Sequence, residues 1–147
     1  MENLQEIRIG ERMIPLYYSA YEMIAIQEEI GCTAYQLRDE VFGVRQMDED
    51  DPKSIVFDVA TDAKKTKKLG TLIRILGNAG LEERGEEPDL TDKWVLRNIK
   101  GGMVLIYAVV LFNIIHKGNR MEAPEKDDSG PVDVLVEEQN AKKQPGS

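Results

Sequence analysis

A chain of 147 residues with 41% hydrophobic and 31% charged residues suits one domain with a core of moderate size and a wet surface. Its formal net charge of −8 and pI near 4.8 argue against nucleic acid as a partner, since phosphates demand a basic face. The single cysteine, Cys32, excludes an internal disulfide and fits a reducing compartment; the opening MENLQEIRIGERM lacks the basic and apolar regions of a signal peptide, so a cytoplasmic protein is expected.

Along the chain, Leu4–Ile9 and Met13–Tyr18 flank Gly10-Glu11, with apolar residues alternating at Ile7 and Ile9, then Ile14 and Leu16. Glycine accepts the positive φ of a tight turn, so a short hairpin is predicted, and Pro15, which cannot donate to a ladder, places its strand at an edge. Ser19 and Glu22 have capping-box spacing, Met23, Ile26 and Ile30 share one helical face, and Gly31 suits the left-handed end of that helix. Thr33 caps a second, shorter helix through about Phe42, ending at Gly43. Gly43–Lys53 reads as an acidic loop, while Ile55–Val59 is ambiguous: its β-branched residues suggest a strand, and Asp51-Pro52 equally opens a helix.

From Asp62 the helical pattern is strong, with Leu69, Leu72, Ile73 and Leu76 on one face and lysines in the preceding turns; Gly77-Asn78-Ala79-Gly80 is expected to loosen its end. A charged loop, Glu82–Pro88, leads to a helix capped by Thr91, with Asp92 in its first turn, Leu90 stapled onto Val95, and Trp94, Val95, Leu96 and Ile99 on its buried side. Gly101-Gly102 breaks the path before Met103–Ile115, MVLIYAVVLFNII, whose one strongly polar side chain is Asn113. This run falls short of the roughly 20 residues that span a bilayer and is too apolar for a surface helix, so it must be covered on most sides, by the chain itself or by another protein. His116 and Lys117 complement the helix dipole and Gly118 follows. From Met121 to Ser147 seven acidic residues face three lysines, a net of −4, and no helical stripe is present. The expected organisation is therefore a mainly α domain over residues 1–118, of four to five helices opened by a β-hairpin, with an acidic disordered tail over residues 119–147 that includes the β-prone VDVLV, Val132–Val136. No internal repeat or heptad series is found.

Motifs for chemistry fail on inspection. Asp48-Glu49-Asp50-Asp51 lacks the glycine and terminal glutamate that a calcium loop needs, since Lys53 and Val59 occupy those positions. His116 and Cys32 have no partners nearby in sequence for metal or acid–base work. Lys64–Lys68, KKTKK, has no interleaved aromatic and reads as a solvated helix face; Gly77 and Gly80 do not form a phosphate-binding loop. No catalytic residue, cofactor or metal is expected. The residues most available for a partner are Leu69, Leu72, Ile73, Leu76, Trp94, Met103, Ile106 and Val110, with Val132, Val134 and Val136 of the tail.

The succession GERMIPL (Gly10–Leu16), SAYEMIAIQEEIG (Ser19–Gly31), LGTLIRILGNAGL (Leu69–Leu81) and PDLTDKWV (Pro88–Val95), closed by an apolar helix and a polar tail, resembles the tail assembly chaperones of long-tailed bacteriophages and related prophages. The resemblance implies a small, mainly helical, acidic factor in the cytoplasm of the bacterial host. Such a factor binds the tape measure protein, keeps it soluble and assists tail tube subunits as they polymerise. Such factors are typically absent from the finished virion, and many are made in a short form and a frameshifted long form; apart from the resemblance, a homo-oligomer is an alternative use of the apolar helix. The rival reading is an acidic adaptor or inhibitor that mimics DNA on a host protein; it requires carboxylates spaced along a rigid face, whereas much of the negative charge here falls in a loop and the tail. An enzyme ranks behind both, since no base–nucleophile pair or metal set is present.

Overall fold

The computed structural model describes residues 4–119. Strands β1 (Gln5–Ile9) and β2 (Arg12–Leu16) pair antiparallel with Ile7 opposite Ile14, across a turn in which Gly10 takes φ 62°. Alternation puts Ile7, Ile9, Ile14 and Leu16 on the buried side. Helix α1 (Ala20–Ile30) starts as its sequence requires: the Ser19 hydroxyl accepts from the Tyr21 N–H at 3.2 Å, Glu22 Oε1 accepts from the Ser19 N–H at 2.9 Å, and Gly31 closes the helix at φ 83°. Thr33 and Gln36 form the same reciprocal cap on α2 (Ala34–Leu37). Its continuation, Arg38–Phe42, widens into a π-helical turn that ends at Gly43, φ 61°.

Between Gly43 and Thr61 one expectation is corrected and one open alternative is resolved. The acidic loop is in part a second ribbon: β3 (Val44–Gln46) pairs antiparallel with β4 (Ile55–Phe57), and Asp48–Ser54 turns between them. The ambiguous Ile55–Val59 is strand as far as Phe57, followed by a 3₁₀ turn over Val59–Thr61. Neither strand showed an alternating pattern, because Val44 alone among the three β3 residues is buried and Ile55 and Val56 both face solvent.

Helix α3 (Ala63–Glu83) is the centre of the fold, packed against β2, α1, α4, α5 and the turns around them. Asp62 caps it, its Oδ1 accepting from the Lys64 and Lys65 N–H groups at 2.9 and 3.2 Å. Leu69, Leu72, Ile73 and Leu76 are all buried. A fully buried aliphatic side chain of this size contributes about 1.5–3 kcal/mol. The sequence-based expectation that Gly77-Asn78-Ala79-Gly80 loosens the helix is corrected: α3 runs through this stretch unbroken. These residues are small or amidic because other chain segments lie on them. A Cβ on Gly80 would stand 2.0 Å from the Pro15 carbonyl oxygen, and one on Gly77 would meet Leu90 and Ile14 within 3 Å. The Tyr17 N–H donates to the Leu76 carbonyl at 3.1 Å, so the end of β2 bonds directly to the helix backbone. Asn78 clamps Leu90, its Oδ1 accepting from the Leu90 N–H at 2.9 Å and its Nδ2 donating to the Leu90 carbonyl at 3.2 Å.

Helix α4 (Asp92–Arg97) starts at the Thr91 cap, and Val95 is buried while Trp94, Leu96 and Ile99 are half-buried. Arg74 of α3 joins two neighbours: its Nε donates to Asp92 Oδ1 at 2.6 Å and its Nη2 to Glu29 Oε1 at 2.5 Å. A 3₁₀ turn, Gly101–Met103, leads into α5 (Val104–Asn119), which passes through Gly118 rather than stopping there. The fold is thus mainly helical, with five helices and an N-terminal hairpin. The expected tail, residues 120–147, lies outside the described residues.

Two outcomes follow. Gly80→Ala gains about 1 kcal/mol of helix propensity, but its methyl meets strand backbone, and overpacking costs about 1–3 kcal/mol or more. In urea titration it should be clearly less stable than wild type, whereas Gly101→Ala, with no heavy atom within 4 Å, should be close to neutral; an unchanged midpoint for Gly80→Ala would show that β2 does not rest on α3. The second concerns pH. Partial burial pushes the Asp92 carboxyl up, but hydrogen bonds from Arg74 and Thr71 and the Arg74 charge outweigh it and hold it below the usual carboxylate range. Its stabilisation is therefore present above the unfolded value, about 3.9, and is lost as pH falls through the lower folded value. Asp92→Asn should flatten the acid limb of the stability–pH curve, read from denaturation midpoints between about pH 5 and pH 2.

Candidate functional site

Helix α5 is apolar on nearly every side, and the fold uses only one of them. Val104, Tyr107, Ala108, Leu111 and Ile115 recur at helical spacing and are buried. The Tyr107 hydroxyl donates to the Arg8 carbonyl of β1. Phe112 sets its ring edge-on to Phe42 and Phe57, with centroids 5.4 and 5.6 Å apart, and stacks on His116 at 5.8 Å. At the far end a Cβ on Gly118 would meet the Tyr18 ring at 2.6 Å, and the Tyr18 hydroxyl donates to Asn119 Oδ1 at 2.8 Å. The helix is fixed at both ends.

The opposite side is open. Ile106 is 51% exposed, Leu105 43%, Met103 37% and Val109 36%, and Asn113, His116 and Lys117 are exposed beyond them. Ile55 lies on the same side of its ribbon as Phe57, whose ring meets α5, and is 45% exposed. Large side chains left together in water at this density are the physical mark of a contact surface. Including the 3₁₀ turn, Gly101–Asn119 is a 19-residue stretch with an 18-residue window of mean hydropathy 1.5, long and apolar enough by length and composition to cross a membrane, so the expectation that the run is too short does not hold for the helix as formed. The helix is nonetheless tied to β1 through Tyr107, to β4 through Phe112 and to Tyr18, before α1, through Gly118 and Asn119.

The structure divides the residues singled out from sequence. Leu69, Leu72, Ile73 and Leu76 are corrected from partner surface to core: each is at most 1% exposed, because α3 lies at the centre of the domain rather than at its edge. Trp94 is half-buried, with the Arg12 guanidinium 5.5 Å from its ring centroid. Met103 and Ile106 lie on the open side of α5 and Val110 at its border; Val132, Val134 and Val136 lie outside the described residues. Leu105 and Val109 belong to the open side and were not singled out. No sequence signal separated them, since an all-apolar helix has no polar face from which to count.

Elsewhere, Cys32 is buried, and burial pushes its thiol up, with Lys68 opposing and Glu40 reinforcing, so the thiol stays protonated. Among the described residues no group of three or more His, Cys, Asp or Glu side chains is placed to hold a metal ion. No family model, no curated protein and no solved structure matches this chain.

The two sides of α5 should separate under charge insertion. Leu111→Asp places a carboxylate in the core at a cost of several kcal/mol and should unfold the domain by circular dichroism. Ile106→Asp sits in water and should melt close to wild type. Equal destabilisation by both would mean that the open side is covered within the folded chain.

Proposed function

We propose that this protein is a tail assembly chaperone of a long-tailed bacteriophage or prophage, acting in the host cytoplasm on the tape measure protein. The observation that carries the reading is the open apolar side of α5 on a small, acidic, helical domain. A tape measure chain exposes long apolar helices that aggregate until tail tube subunits enclose them. The open side of α5 covers a turn or two of such a helix by helix-in-groove contact, each methylene removed from water contributing about 0.8 kcal/mol. Met103, unbranched and flexible, adapts to different turns of the client. The net charge of −8 keeps the complex in solution. The reading requires no catalytic residue, cofactor, nucleic acid or membrane, and the protein leaves before the virion is complete. The resemblance of Gly10–Leu16, Ser19–Gly31, Leu69–Leu81 and Pro88–Val95 to that family supports it.

Co-expression with the tape measure product of the same gene cluster tests the proposal. The product should be soluble and co-purify with wild type and with Cys32→Ser, and both effects should fall with Ile106→Asp. Equal solubility with and without this chain, together with no co-purification, would rule the chaperone reading out; capture of a host DNA-binding regulator instead would favour the acidic mimic.

A further inference from the structure

The charge of the chain segment that ends in α5 runs opposite to that of the protein. From Lys93 to Asn119 the chain carries Lys93, Arg97, Lys100 and Lys117 and no acidic residue, so all 27 acidic residues lie elsewhere. These four basic side chains are exposed. None makes an ion pair among the described residues, whereas Arg12, Arg45, Lys65, Lys68, Arg74 and Arg84 each do. Lys100 precedes the apolar side, and Lys117 lies three turns after Ile106 on the same face, so basic groups stand at both ends of the strip. Between them Ile106, Val109, Asn113 and His116 follow a three-four-three spacing, the spacing with which one helix meets another.

We propose that the open side of α5 docks an amphipathic partner helix whose apolar stripe is flanked by acidic residues. Charge complementarity selects such a helix over a basic one, because unpaired cations at the strip ends attract carboxylates and repel lysines. A helix is also favoured over an anionic bilayer. Asn113 in mid-strip finds a hydrogen-bonding partner on a helix but none in hydrocarbon. The inference rests on the reading of α5 as the client surface and names the charge that the client segment carries.

The test uses the full-length protein and two synthetic helical peptides with one apolar stripe, flanked by glutamates in one and by lysines in the other. Fluorescence anisotropy should show the glutamate peptide binding about tenfold more tightly at low salt, a difference of about 1.4 kcal/mol. The preference should shrink in 0.5 M salt, as expected of exposed charges within about a Debye length, and should invert in the double variant Lys100→Glu, Lys117→Glu, which touches no core side chain. Ile106→Asp should abolish binding of both peptides. Equal affinity for the two peptides would overturn the proposal, and so would failure of the glutamate peptide to bind. Sedimentation with phosphatidylglycerol vesicles without peptide binding, or a dimer that excludes both peptides and dissociates on Ile106→Asp, would overturn it as well. Equal affinities together with co-purification of the tape measure product would remove this inference alone; peptide discrimination without that co-purification would remove the chaperone reading alone.

Discussion

The domain is organised around a place where a strand lies on a helix with no side chain between them. Pro15 and Tyr17 approach α3 at Leu76–Gly80 so closely that a methyl at position 80 has no room, and the Tyr17 N–H bonds to a helix carbonyl. That contact is available because Gly77 and Gly80 remove two side chains from one face of an otherwise regular helix. Each glycine there costs about 1 kcal/mol in helix propensity, and the burial of Ile14, Leu16 and Leu90 against the same face offsets it. Once β2 is fixed on α3, the other elements have fixed places: Arg74 ties α1 and α4 to the same helix, Asn78 holds the loop that leads into α4, and Leu96 fills the space over Gly70.

Helix α5 is held differently. It joins the edge of this arrangement through one stripe, a hydroxyl to β1 and an aromatic cluster with Phe42 and Phe57. The fold requires five apolar positions of it, and the helix supplies several more. A helix that served only the core would carry polar residues at 105, 106 and 109. The surplus is what separates this domain from an ordinary small helical fold, and it lies on a preformed helix, so binding there carries little cost of ordering backbone.

How much of this could be read from the sequence depended on whether a signal was local. Caps are local, and Ser19, Thr33, Asp62 and Thr91 all mark true helix starts. The hairpin around Gly10 was legible for the same reason. The ribbon of β3 and β4 was not, because three-residue strands with exposed Ile55 and Val56 show no period. Gly77 and Gly80 misled because glycine in a helix reads as weakness, when here it marks a close approach by Ile14 and Pro15, more than 60 positions earlier, and by Leu90. The same limitation applied to the site. Leu72 and Ile106 are both apolar residues on helical stretches, and only the arrangement of neighbours makes one core and the other surface.

The ties at Arg8–Tyr107 and Tyr18–Asn119 join residues 99 and 101 positions apart. A ribosome therefore releases the hairpin long before the helix that completes its surroundings. β1 and β2 wait through the synthesis of α1 to α4, and α5, the last element described, closes the domain and presents its open side in the same event. An incomplete domain has no α5 to show, and a complete one has already buried the stripe with which α5 would otherwise aggregate. Such long-range closure slows folding relative to a bundle of neighbouring helices, and in exchange the apolar side of α5 is not presented before the rest of the domain has been made.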